Sequence, residues 1–206
     1  MYKSIIFDLG GVMVDFDPKA YLVDRLCNAA IEEQVYDLTF GSEEWQQLDA
    51  GLVSRFNGNS SMLKKAKAAG REFEVQGVLD DWLHILRPRH RMEELVRRLK
   101  SHGYCVYYLS NIPQDVLDLL RDRGVLDGFD GGVASCEVHI NKPDPKIYKA
   151  LLDKCDTAYI TKIHKSYPAD CWLPDLDADP NWTLAEESEP LEEDGLIFHY
   201  ATYKRI

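Results

Sequence analysis

The chain opens on a short apolar run, Ile5-Ile6-Phe7, that breaks at Asp8 and gives way to Gly10-Gly11. An apolar run bounded by turn residues predicts a buried strand. For about seventy residues afterwards no such run recurs, and the pattern is helical. Pro18 starts a helix at about Lys19, with apolar positions at Leu22, Leu26, Ala29 and Ala30. Ser42 ahead of Glu43-Glu44-Trp45-Gln46 predicts a capped helix ending at Asp49-Ala50-Gly51. Asn57-Gly58-Asn59-Ser60 reads as a loop, and Phe73 to Leu86 as a helix stopped before Pro88. At helical spacing, Trp45, Phe73 and Trp82 read as core residues, with the lining of a cap pocket as the alternative.

From residue 90 the rhythm alternates. Arg91 to Ser101 is amphipathic and Gly103 stops it, Tyr104 to Leu109 is a second buried strand, and Gln114 to Arg123 is a helix closed by Gly124. Gly132 to Ser135 predicts a third strand, Pro145 to Lys154 a helix, Asp170 to Leu173 a fourth strand and Gly195 to His199 a fifth. Strands alternating with helices predict an α/β fold, a Rossmann-like parallel sheet core with an inserted all-helical cap. The implied domains are 1–16 with 89–206 as the core and 17–88 as the cap. At 206 residues the chain is long enough to bury such a core.

The formal net charge of −11 argues against a nucleic-acid binder, which needs a basic face to displace counterions. The five cysteines are scattered without Cys-x-x-Cys spacing, so neither a disulfide framework nor a zinc site is expected, and the six histidines show no metal-ligand spacing. No apolar stretch approaches the roughly 20 residues that span a bilayer, and the N-terminus lacks signal-peptide chemistry. The expected setting is cytoplasmic, away from membranes.

Chemistry enters at the strand ends. Asp8 follows the first strand, Ser110-Asn111 the second, and Lys142 stands in Asn141-Lys142-Pro143-Asp144-Pro145 before a helix. In open α/β sheets the carboxyl edge of the strands is where ligands bind. A carboxylate there can attack phosphorus, a hydroxyl and backbone amides can hold phosphoryl oxygens, and a lysine can neutralise the shared charge.

Taken in order, Ile-Ile-Phe-Asp-Leu-Gly-Gly-Val, Tyr-Leu-Ser-Asn and Asn-Lys-Pro-Asp-Pro-Lys-Ile-Tyr resemble the haloacid dehalogenase superfamily, in particular its sugar-phosphate phosphatases and the phosphatase domain of epoxide hydrolases. The resemblance covers most of residues 1 to 154. It implies a magnesium-dependent phosphatase acting on a small phosphorylated metabolite through an aspartyl-phosphate. Asp8 is then the nucleophile, Lys142 screens charge, and Leu9, Gly10, Ser110 and Asn111 hold the phosphate. The metal falls to Asp8, the Gly10 carbonyl and two later acids. Two departures stand out. Where such phosphatases commonly carry an acid/base aspartate two residues after the nucleophile, this chain has Gly10. The late acids fall in Leu173-Pro174-Asp175-Leu176-Asp177-Ala178-Asp179-Pro180-Asn181, where Asp175 fits one family spacing and Asp177 another. A metal-independent haloacid dehalogenase and a non-catalytic relative with a decayed metal site are the open alternatives.

Overall fold

A computed structural model describes residues 4–168 and 173–206. They form two compact units, one running to Asn141 and the other spanning Lys142–Ile206.

In the first unit, β1 (Ser4–Phe7), β2 (Cys105–Ser110) and β3 (Gly131–Ala134) form a parallel sheet in the order β1-β2-β3. The register pairs Phe7 with Tyr108 and Ser110 with Ala134, so Asp8, Ser110 and Ser135 mark one edge of three adjacent strands. Between β1 and β2 lie α1 (Pro18–Leu26), α2 (Ala29–Leu38), α3 (Glu43–Asp49), α4 (Arg55–Ala68), α5 (Glu72–Asp81), a 3₁₀ turn (Trp82–Ile85) and α6 (His90–Ser101). After β2 come α7 (Gln114–Asp122) and the short α8 (Ser135–Val138).

The expected helix from Lys19 to Ala30 is two helices. Cys27 takes a left-handed conformation, and Asn28 caps α2 reciprocally: its side chain accepts from Ile31 N while Glu32 accepts from Asn28 N at 2.7 Å. The predicted loop at Asn57-Gly58-Asn59-Ser60 is the interior of α4, whose start is capped by Ser54. Gly58 is there for packing, because a Cβ on it would meet Leu48 at 3.0 Å. Asp17 caps α1. Asp15 pairs with Arg89 at 2.7 Å where the chain leaves and re-enters the sheet, beside the Val14–Pro88 bridge.

The core of this unit is apolar and aromatic. Trp45 and Trp82 are buried, with ring centroids 4.9 Å apart, and Phe40 packs tilted against Trp45 at 4.6 Å. Phe73, expected in the core, projects into solvent at 90 % exposure because it sits in the first turn of α5 on its outer face.

In the second unit, α9 (Pro145–Leu152) precedes β4 (Thr157–Ile163), β5 (Trp182–Glu187), β6 (Leu191–Glu193) and β7 (Leu196–Arg205). Here the expected parallel continuation gives way to an antiparallel sheet in the order β4-β7-β5, with β6 also on β7. Its small core joins Ala158, Leu176, Trp182, Ala201 and Tyr203. The strand expected at Asp170 to Leu173 falls largely on residues outside those described.

Candidate active site

The parallel register sets Asp8 and Ser110 on neighbouring strand ends, and Ser110 Oγ donates to Asp8 Oδ1 at 2.9 Å. The same carboxylate oxygen accepts from Leu9 N at 2.8 Å. Two neutral donors thus fix one oxygen of the carboxylate. The backbone then turns through Gly10-Gly11, with Gly11 N donating to the Val14 carbonyl at 2.8 Å and Arg89 bonding the Gly11 carbonyl. Ser110 is buried at 2 % exposure, so its hydroxyl is held by the sheet.

Beside these groups is a small cavity of about 50 Å³, partly open to solvent, lined in part by Gly10, Ser110 and Asn111. Its walls are Val14, Phe16, Trp45, Trp82, Leu86 and Ile112, with one ionisable residue, Asp49, among the described residues that line it. Burial pushes the Asp49 carboxyl up to about 7, against the pull of Arg55, and Asp115 adds to the rise.

Asp49 is fixed from the sheet side. Ser135, itself fully buried, accepts from Ile112 N at 2.8 Å and donates to the Asp49 carbonyl at 2.5 Å. One hydroxyl therefore ties the segment after Ser110-Asn111 to the end of α3. His139 Nδ1 lies 3.1 Å from the Ala50 carbonyl and Asn141 Nδ2 donates to the Gln46 carbonyl at 2.8 Å. Gly51, at φ +62°, packs so closely on the Cys136 carbonyl that a Cβ would meet it at 2.5 Å. Farther along, Arg55 makes a bidentate pair with Asp115 at 2.8 and 3.0 Å while lying 5.2 Å from the Trp45 ring and 5.3 Å from the Trp82 ring. Neither Asp49 nor Ser135 was nominated by the sequence. The available signal was an acid at a helix C-terminus, where the dipole disfavours negative charge.

The remaining nominated residues belong to the second unit. Lys142 is its first residue, ahead of Asp144, which caps α9 by accepting from Lys146 N at 2.8 Å. Asp177 was expected to hold a metal, but its Oδ2 accepts from Lys162 Nζ at 2.6 Å and its Oδ1 from the Tyr203 hydroxyl at 2.6 Å. Both partners hold its carboxyl below the ordinary range. Asp175 accepts from Asp177 N at 3.0 Å, and Asp179 caps its own turn through Asn181. These acids fold their own loop against the antiparallel sheet. Magnesium takes oxygen donors in near-octahedral geometry. Asp8 and the Gly10 carbonyl offer two such donors on one turn, and among the described residues no group of three or more His, Cys, Asp or Glu gathers to hold a metal.

Residues 145–205 match the dihydrofolate reductase family model. Sesquiterpene phosphatase astK of Aspergillus oryzae is 28% identical over 158 residues, covering 76% of this chain and 76% of that protein. Among solved structures, a HAD family enzyme of Bacteroides thetaiotaomicron in complex with magnesium and inorganic phosphate superposes with a TM-score of 0.54 at 21% identity, covering 75% of this chain and 78% of that one. An L-2-haloacid dehalogenase of Xanthobacter autotrophicus gives 0.51 at 22% identity, covering 75% and 64%. At such identities these likenesses establish the α/β fold alone. The family model that covers most of the chain, residues 2–165, is that of the haloacid dehalogenase-like hydrolases, and to that family the chain belongs.

Proposed function

We propose that the chain hydrolyses phosphomonoesters of apolar alcohols, with Asp8 as the nucleophile. The observation that carries this reading is the Asp8–Ser110 pair beside a cavity walled by Phe16, Trp45 and Trp82. Sugar hydroxyls need polar partners on the walls, and a pocket that offers few rejects them. The phosphatase relative, named for a sesquiterpene substrate, supports the same preference.

In this reading an Asp8 oxygen attacks phosphorus as the bond to the alcohol oxygen breaks, giving an aspartyl-phosphate that water then cleaves. Leu9 and Gly10 present backbone groups to the phosphoryl oxygens, and Ser110 and Asn111 donate to them. No step is routed through a metal. Phosphate release from an alkyl monophosphate tests the reading, assayed with magnesium in the buffer. Release by the wild type that falls to background in Asp8→Asn supports it; release undiminished by that change overturns Asp8 as nucleophile. A second reading, metal-independent dehalogenation in which Asp8 attacks carbon, is favoured by Gly10, which stands where an acid/base aspartate is common. Its signature is halide release from a 2-haloacid that persists with a chelator.

A further inference from the structure

We propose that Asp49, from the helical insertion, is the general acid and base of the reaction, doing from the far wall of the cavity what no side chain at Gly10 can do. The inference rests on the reading of Asp8 as nucleophile. Three observations on the structure support it.

Asp49 is the sole ionisable residue among those described that line the cavity, which also reaches Gly10, Ser110 and Asn111. Its backbone is locked to the strand-end machinery through Ser135, which bonds both the Asp49 carbonyl and Ile112 N. Its surroundings keep a proton available near neutrality, since burial raises the carboxyl to about 7 and a catalytic group works best when its proton affinity matches the operating pH. The charged groups around it are Arg55 on α4 and Asp115 on α7, which bind each other, and His139 after α8, whose ring is turned to the Ala50 carbonyl. Glu137 on α8 is taken up by Arg121 at 2.7 Å. A carboxyl held neutral thus lines the same small cavity as Gly10, Ser110 and Asn111.

The proton bookkeeping closes. In the first step the Asp8 oxygen–phosphorus bond forms, the phosphorus–alcohol oxygen bond breaks, and the Asp49 proton passes to that oxygen, leaving Asp49 ionised. In the second, water attacks phosphorus, its proton passes to Asp49, and the bond to Asp8 breaks, releasing phosphate and restoring both carboxyl groups.

The test compares two leaving groups in the full chain: n-octyl phosphate, whose alkoxide needs a proton to depart, and p-nitrophenyl phosphate, whose phenolate does not. Asp49→Asn should lower kcat/KM for octyl phosphate by about 10²–10⁴. With nitrophenyl phosphate it should keep a first-turnover burst of nitrophenol followed by slow turnover. In the wild type, octyl phosphate hydrolysis should fall as pH rises above about 7, and the variant should lack that limb. Position 10 provides a rescue. The nearest atoms to a Cβ there belong to the Phe16 side chain, at 3.6 Å or more, so combining Gly10→Asp with Asp49→Asn should restore at least about tenfold of the lost rate. Equal losses on both substrates without a burst, or no loss on either, overturn the assignment. If the wild type hydrolyses neither ester, the nucleophile reading fails and takes this role with it, a result distinct from an active enzyme indifferent to residue 49.

Discussion

Asp49 and Asp177 are the same residue type in opposite electrostatic circumstances. Asp49, at the end of α3, faces indole rings and aliphatic walls, and its proton is held up to about pH 7. Asp177, in the loop before β5, is gripped by the Lys162 ammonium and the Tyr203 hydroxyl and held ionised. The sequence nominated the second for chemistry and passed over the first. What separates them is the company of each carboxyl: one beside apolar walls can give and take a proton near neutrality, whereas one saturated by a cation and a phenol is a strut.

The largest expected effect comes from removing the wall. Trp82→Ala deletes a side chain that is 2 % exposed and should cost about 3–5 kcal/mol in denaturant unfolding. It should also lower the Asp49 proton affinity toward the ordinary carboxyl range, visible as a shifted pH limb in alkyl phosphate hydrolysis. An unchanged limb in a folded Trp82→Ala variant would mean that the apolar wall does not set the proton affinity of Asp49.

Asp49→Asn should stabilise the fold, with a dependence on pH that fixes the cause. In the unfolded chain residue 49 ionises near pH 4, while in the folded chain it keeps its proton to about 7. Between those values the folded state binds more protons, so wild-type stability falls as pH rises and levels off above 7. The shift would carry roughly 4 kcal/mol if the carboxyl were sealed from water, and partial exposure reduces the expected gain in Asp49→Asn to about 1–2 kcal/mol at pH 8, with little gain at pH 4. Urea midpoints of the two proteins at both pH values measure it. A gain independent of pH would point to packing instead.

Asp177→Asn should show the reverse sign and a smaller size. The folded carboxyl is held below its unfolded value, so the pair contributes stability that is present above about pH 4 and fades as pH falls. With Asp177 54% exposed as a side chain, the loss should be about 0.2–1 kcal/mol. Phosphate release should be unchanged by Asp177→Asn, and a collapse of activity would return that residue to the chemistry from which its partners remove it.

Much of the first unit was readable from residues alone. Ile5 to Phe7, Tyr104 to Leu109 and Gly132 to Ala134 announce strands by apolar runs, and the acid and hydroxyl that meet at 2.9 Å stand at the ends of the first two. Other features were hidden for identifiable reasons. Asn57-Gly58-Asn59 has loop composition, but Gly58 answers to the approach of Leu48, a contact between helices that no local pattern reports. Short apolar runs do not disclose strand direction, so the pairing of Leu196–Arg205 antiparallel to Thr157–Ile163 was invisible. Asp49 was legible only as a helix terminator. Its environment is assembled by Trp82, Ser135 and Asp115, which stand far along the chain from it and converge through the fold.

The covalent intermediate is the most direct object to look for. Rapid quenching in acid during turnover of an alkyl monophosphate, followed by peptide mass mapping, should find one phosphoryl group on the peptide containing Asp8, with more of it in Asp49→Asn fed p-nitrophenyl phosphate, where the water step is slowed. Sustained phosphate release with no phosphoryl group on that peptide in either protein would contradict the account at its centre.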